Sequence, residues 1–326
     1  MPHDLIVRPA RQELTATAAA VPALIGDAGH RATRRFLEFF TAQIPNDNTR
    51  RAYLQAVRQF SEWCTEKGLT LDTLSPMIIA AYIKLLGKQK SVPSVKQHLA
   101  AIRMLFDWLV TGHVIETNPA HSVRAPKYVV TKGKTPVLEG VQAQALIDAI
   151  DVTKIRGLRD RAIIGVMVYS FARVGAVVGM NVEDYMDQGK RCWFRLHEKG
   201  GKLHDVPAHH VAQEYMDAYL AVAGIAGQKK GPLLRTVDRR RQLTATRITP
   251  RDVHRMIKRY GRKAGVSDKI CCHTFRATGI TQFLLNGGTV EQAQRIAAHS
   301  SPKTTKLYDR TSDAIDLSEV ERIRLV

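Results

Sequence analysis

Residues 273–308 read HTFRATGITQFLLNGGTVEQAQRIAAHSSPKTTKLY. Three helix signatures follow one another here. The run Phe275–Asn286 is closed by Gly287 and Gly288, the residues that most easily turn a chain out of a helix. Thr289-Val-Glu-Gln292 is a capping box opening a second, short helix that reaches His299. Ser301–Pro302 can start one more, with Tyr308 on it. The segment thus strings His273, Arg276, His299 and Tyr308 along short helices, and a mainly helical C-terminal domain is expected around them.

The text upstream fits such a domain. Leu158–Tyr169 is an apolar stretch that takes in Arg159-Asp160-Arg161, and Arg173 follows it in Ser170-Phe-Ala-Arg-Val-Gly-Ala-Val-Val. Arg191–Leu196 and His204–Ala208 look like two strands joined by the turn Glu198-Lys-Gly-Gly-Lys202. Thr249-Pro-Arg-Asp252 opens a helix that ends at Gly265. Nearer the start, Tyr53, Val57, Phe60 and Cys64 form one helical face ended by Gly68. Ser75–Pro76 opens Met77–Leu86, and a third helix runs from Ser94 to Gly112.

Composition narrows the function. The chain has 326 residues, comfortable for two domains, with 44% hydrophobic and 24% charged residues, an ordinary globular balance. Lys and Arg number 49 against 30 Asp and Glu, giving +19. Up to residue 130 there are 16 basic against 10 acidic residues, and after it 33 against 20, so both parts are basic. A polyanionic partner, nucleic acid first, is expected. A membrane is not, because no run of about 18 apolar residues occurs. The opening residues carry Asp4 and Glu13 and do not read as a signal peptide. The four cysteines show no CxxC spacing, and Cys271–Cys272 beside His273 lacks a second ligand pair, so no metal is expected and the protein is read as reduced and cytoplasmic.

Taken singly, the chemical residues have ordinary explanations. Arg173 could be a surface cation, Lys199 a solvated turn residue, His273 and Arg276 neighbours on one helix face, and Tyr308 a core aromatic. In order and spacing they resemble the tyrosine recombinase family, the phage integrase, Cre and Xer superfamily. The resemblance covers nearly the whole chain after residue 30. Arg173 matches the family's first catalytic arginine, Lys199 its β-hairpin lysine, and His273 and Arg276 its HxxR box. His299 stands at its His/Trp position and Tyr308 at its nucleophile. One position departs: the acidic residue three places after the first arginine is here Ala176, which leaves Asp160 or Glu198 to steady Arg173.

The resemblance implies a mainly α fold with a small antiparallel β-sheet. A helical, SAM-like core-DNA-binding domain over 31–127 would join a mixed α/β catalytic domain over 136–311, the two forming a C-shaped clamp on DNA. A flexible tail is expected over 1–30, a linker over 128–135, and over 312–326 a C-terminal helix for intersubunit or self packing. The implied activity is site-specific recombination through a covalent 3′-phosphotyrosine, without metal, ATP or other cofactor. A homo-tetramer would hold two double-stranded sites with inverted-repeat cores, with room for accessory DNA-bending proteins, in the cytoplasm at the nucleoid. With about thirty residues before the helical unit, the simpler architecture without a separate arm-binding domain is expected.

The residue types suit that chemistry. Two guanidinium forks can bind the non-bridging oxygens of a phosphodiester in paired hydrogen bonds. His299 can add a further hydrogen bond. Tyr308 would attack phosphorus with cationic neighbours favouring its ionised form, and His273 could take the phenolic proton. Lys199 would protonate the leaving 5′-oxygen, with Lys202 as rival. DNA contacts are expected from Arg50, Arg51, Lys96, Arg103, Lys127, Lys132, Lys202, Arg251 and Arg255. A type IB topoisomerase, a telomere resolvase and a non-catalytic DNA-binding regulator remain alternatives on the same scaffold.

Overall fold

The computed structural model describes residues 21–130, 133–189, 191–198 and 200–309. Lys132, Lys199 and the C-terminal segment 312–326 lie outside the described residues. The chain divides into two compact units, up to Val129 and from Val130 onward.

The first unit is helical throughout: α1 Ala23–Gly26, α2 His30–Glu38 with a π-type turn over Phe39–Gln43, α3 Asp47–Glu66, α4 Pro76–Gln89 and α5 Val92–Thr111. Local chemistry sets the ends. The Asn46 side chain accepts hydrogen bonds from the amides of Asn48 and Thr49, satisfying two orphan donors of α3. Gly68, at φ +62°, lets the chain leave α3, and Pro76 stands at the first turn of α4 after its Ser75 cap. Val57, Phe60 and Cys64 of α3 are buried together with Leu99, Ile102 and Phe106 of α5. One expectation is corrected here. The flexible tail expected over 1–30 does not extend to its last residues, because Leu24 and Ile25 are buried in this core. Two apolar residues on a four-residue helix are too few to show a period.

In the second unit the order is α6 Gly140–Asp148, α7 Ile155–Tyr169, α8 Val174–Gly179, β1 Tyr185–Asp187, β2 Cys192–His197, β3 Leu203–Pro207, α9 His210–Ala223, β4 Arg235–Val237, β5 Leu243–Arg247, α10 Pro250–Lys263, α11 Cys272–Leu285, α12 Val290–Ile296 and α13 Pro302–Lys306. The chain is mainly α with small antiparallel sheets, one in the order β1-β2-β3 and one pairing β4 with β5. In β2 the side chains of Cys192, Phe194 and Leu196 are buried while Trp193 and Arg195 are not, the period of a strand covering a core on one face. Phe194 sits opposite Val206 of β3.

Helix α7 is the centre of this unit. Apart from Arg161, it is buried from Gly157 to Met167, and it packs against α9 and α11. Gly279 makes the approach of α11 possible, because a Cβ there would lie 2.0 Å from the Val168 carbonyl oxygen and 2.9 Å from the Phe171 ring. Among the described residues no helix is long and apolar enough to cross a membrane.

Candidate active site

Five of the six residues singled out from the sequence fall into one region of the second unit. Arg173 directly precedes α8, just past the end of α7, and its Nη1 donates to Glu198 Oε2 at 2.6 Å. Glu198 follows β2 and is buried, whereas the Arg173 side chain is 42% exposed. The carboxylate that holds Arg173 is therefore Glu198. Asp160, the other candidate, is occupied elsewhere: it accepts from Arg159, Arg259 and the Tyr260 hydroxyl. Ala176 is buried in the apolar core at 3% exposure.

Arg276 projects from the first turns of α11 and is only 1% exposed. Its Nη1 donates to the Phe171 carbonyl and its Nη2 to the Ala297 carbonyl, the latter at 2.6 Å. Tight turns supply both acceptors, since Phe171 has φ +53° and Ala298 has φ +48°, strained values for residues other than glycine. The buried Arg276 Nε has no hydrogen-bond partner among the described residues. Burial, then the charge of Arg173, lowers its pKa to about 10, so it stays cationic at neutral pH. Neutral carbonyls thus position Arg276 without cancelling its charge, and among the described residues Glu198 is the carboxylate that faces the two guanidiniums. The pair is short of negative charge, the electrostatics of an anion site.

Tyr308 sits just past α13, beyond the helix expected to carry it. Its backbone is pinned at both ends: its amide donates to the Thr305 carbonyl, and its carbonyl accepts from Thr281 Oγ1 at 2.9 Å. The phenol oxygen lies 2.7 Å from His273 Nε2. Burial raises the Tyr308 pKa above its ordinary value, and the opposing charges of Arg276 and Arg173 do not outweigh it. The two arginines do pull toward the phenolate, as expected, but burial is the larger effect. Burial, then Arg276 and Arg173, lowers the pKa of His273, which leaves a neutral ring against the phenol.

His299 follows α12 at a tight turn and is buried. Its Nδ1 is 2.9 Å from Thr305 Oγ1, and its ring lies nearly parallel to that of Tyr308, with centroids 6.0 Å apart. Burial, then Arg276, Arg173 and His273, lowers its pKa to about 4. In the tautomer in which the Thr305 hydroxyl donates to Nδ1, the neutral imidazole carries its proton on Nε2 and can donate from there. Thr305 has no marker in the sequence; it is found only once α13 is folded against α12. The β2–β3 hairpin is braced on the same region, as His204 Nε2 lies 2.9 Å from the Ile296 carbonyl.

The residues expected to contact DNA divide into two groups. Arg51, Lys96, Lys127, Lys202, Arg251 and Arg255 are exposed. Arg50 spends its Nε and Nη2 on the Ile44 carbonyl. Arg103 is a correction: it donates to the carbonyls of Ala120 and Val123 and holds down the segment that follows α5. A basic residue on a helix face does not disclose from sequence alone that a carbonyl lies within its reach.

Known proteins place this geometry. Residues 136–314 match the phage integrase family, and residues 34–113 match the phage integrase N-terminal SAM-like domain. The tyrosine recombinase XerC of Myxococcus xanthus is 28% identical over 289 residues, covering 85% of this chain and 93% of the relative. The XerC of Thermodesulfovibrio yellowstonii is 29% identical over 264 residues, 81% of this chain and 85% of that one. In fold, the chain matches a lambda integrase dimer bound to a COC′ core site, with a TM-score of 0.66 at 16% identity over 95% of this chain and 85% of that one. With more than half of its length matched by the catalytic family, this chain belongs to the phage integrase family of tyrosine recombinases.

Proposed function

We propose that this site-specific recombinase cleaves and rejoins double-stranded DNA with Tyr308 as nucleophile. The observation that carries the proposal is the 2.7 Å contact between Tyr308 and a neutral His273 beside two arginines. A phosphodiester bound there supplies the negative charge that Arg173 and Arg276 lack. The Tyr308 oxygen attacks phosphorus and passes its proton to His273 Nε2. The bond from phosphorus to the 5′-oxygen breaks, leaving a 3′-phosphotyrosine and a 5′-hydroxyl. The transition state gathers charge on the non-bridging oxygens, which the arginine forks and His299 Nε2–H stabilise.

The leaving oxygen takes a proton from Lys199, or from Lys202 on the same hairpin. A 5′-hydroxyl from another strand then attacks the phosphotyrosine and releases Tyr308. The atoms balance with no metal ion or nucleotide consumed. The substrate proposed is a pair of inverted-repeat core sites held by a homo-tetramer, with accessory DNA-bending proteins where a site requires them, in the cytoplasm at the nucleoid. Residues 31–127 would serve as the core-DNA-binding domain and 136–311 as the catalytic domain.

The test is covalent capture. The protein is incubated with nicked DNA from its own source, so that a cleaved strand cannot be resealed, and SDS-resistant adducts are collected. The parent protein should form them on one recurring sequence, and Tyr308→Phe should bind the same DNA yet form none. Supercoil relaxation without strand exchange would favour a topoisomerase instead.

A further inference from the structure

Of the five residues of α13, Thr305 is the buried one, and it is wholly enclosed. A valine would fill the same space without bringing a polar group into it, so the hydroxyl needs a reason. Elsewhere Thr65, Thr111 and Thr278 spend their hydroxyls on the carbonyl four residues back, at 2.9–3.0 Å. Thr305 does not. Among the described residues its hydroxyl has one partner, His299 Nδ1 at 2.9 Å, which lies six residues back and outside the helix.

The rest of His299 is fixed independently of that contact. Its amide donates to the Gln294 carbonyl and its carbonyl accepts from Gln294 Nε2, both at 3.1 Å. Ala298 before it turns at φ +48°, and its ring lies within 6° of parallel to the Tyr308 ring. Burial, then the charges of Arg276, Arg173 and His273, keeps the ring neutral at physiological pH, since its pKa falls to about 4. What the backbone leaves open is which ring nitrogen carries the one proton.

The burial of Thr305 closes that question. With the proton on Nδ1, the ring would donate to Oγ1, and the hydroxyl hydrogen would be left without an acceptor at a position closed to solvent. With the hydroxyl donating to a bare Nδ1, both groups are satisfied and the imidazole proton sits on Nε2. A buried donor left unpaired costs more than one hydrogen bond returns, so the second arrangement wins. The difference matters for the chemistry. An Nε2–H attracts a phosphate oxygen, whereas a bare Nε2 presents a lone pair and repels it. We infer that Thr305 is a positioning residue, whose hydroxyl holds His299 in the tautomer that offers Nε2–H to the phosphate. The inference rests on the proposed cleavage of a phosphodiester at this site.

Histidine labelled with nitrogen-15 in the full chain reads the tautomer directly by NMR. His299 is assigned by the signals that vanish in His299→Ala. In the parent at neutral pH, Nε2 should appear protonated and Nδ1 bare. Thr305→Ser keeps a hydroxyl and should give the same pattern, while Thr305→Val should show a mixture of both tautomers. A proton on Nδ1 in the parent overturns the inference, and so does a parental pattern in Thr305→Val. Thr305→Ala, which also lacks the hydroxyl, takes the place of Thr305→Val should the latter not fold.

Adduct formation on nicked DNA gives a second reading. Thr305→Val should slow it about tenfold with DNA affinity within about twofold, and Thr305→Ser should stay within about threefold of the parent rate. Added to His299→Ala, Thr305→Val should change the rate by less than about twofold, because the hydroxyl acts through the ring. A further fall of about tenfold in that background would give Thr305 a role apart from His299 and overturn the inference. A parent protein that forms no adduct would count against Tyr308 as nucleophile, while the nitrogen spectra would still decide the role of Thr305.

Discussion

Arg173 and Arg276 are held in opposite ways, and that contrast shapes the chemistry. Arg276 is buried and fixed by two neutral carbonyls, while Arg173 is open to solvent and steered by one carboxylate, Glu198. Glu198 touches no reacting atom in this scheme and acts by positioning Arg173. Glu198→Gln should therefore slow adduct formation by about tenfold to a hundredfold while DNA affinity stays within about threefold; a matched loss in both would show a merely structural role. The buried histidines give a second prediction. His299, with its pKa near 4, binds fewer protons when folded than when unfolded between about pH 4 and 6.5. Stability must then rise with pH across that window, by up to about 3 kcal/mol from this residue, with His273, His209 and His98 shifted the same way. Thermal unfolding of the full chain followed from pH 6.5 down to 4.5 should show the fall, and His299→Gln should flatten it. At this scale the order of residues in the sequence picked out Arg173, His273, Arg276, His299 and Tyr308, which the fold brings into one region. It could not disclose that Glu198, not Asp160, reaches Arg173, because each lies within reach only once the hairpin and α7 are packed. Nor could it show that burial outweighs two cations at Tyr308.

Helix α11 reaches its position because Gly279 lets it lie directly on the end of α7. That contact sets Arg276 against the Phe171 carbonyl, so element packing and site geometry are one event. Gly279→Ala should cost about 1 to 3 kcal/mol of stability through overpacking and should impair adduct formation more than DNA binding. Unchanged thermal stability and an unchanged cleavage rate would contradict the tight α7–α11 contact. Helices with a cap, a proline and a clear apolar face were legible in advance: α3, α4, α5 and α10 follow their signals to within a few residues. The hairpin of β2 and β3 was legible from its glycine turn. The short strands β1, β4 and β5 were not, since three to five half-exposed residues carry no alternation to read. Helix α12 stops at Ile296, short of His299, because Ala298 turns the chain at φ +48°. That turn helps form the carbonyl acceptor for Arg276, and no residue in it announces a left-handed position.

For the whole molecule, a charge of +19 on an ordinary globular composition points to a polyanion independently of any motif. The structure divides that charge among different duties. Arg103, Arg159 and Arg247 bind backbone carbonyls inside their own units, whereas Arg51, Lys96 and Arg251 are exposed at the surface. Net charge is thus a sound guide to the class of partner and a poor guide to which residues meet it. The central claim, however, concerns a single bond. The most direct measurement is a peptide map of the SDS-resistant adduct formed on nicked DNA, after nuclease and protease digestion. The account predicts one nucleotide-bearing peptide, modified at Tyr308 through a 3′-phosphate. Modification at any other residue, or DNA recovered with no covalent peptide at all, would contradict it.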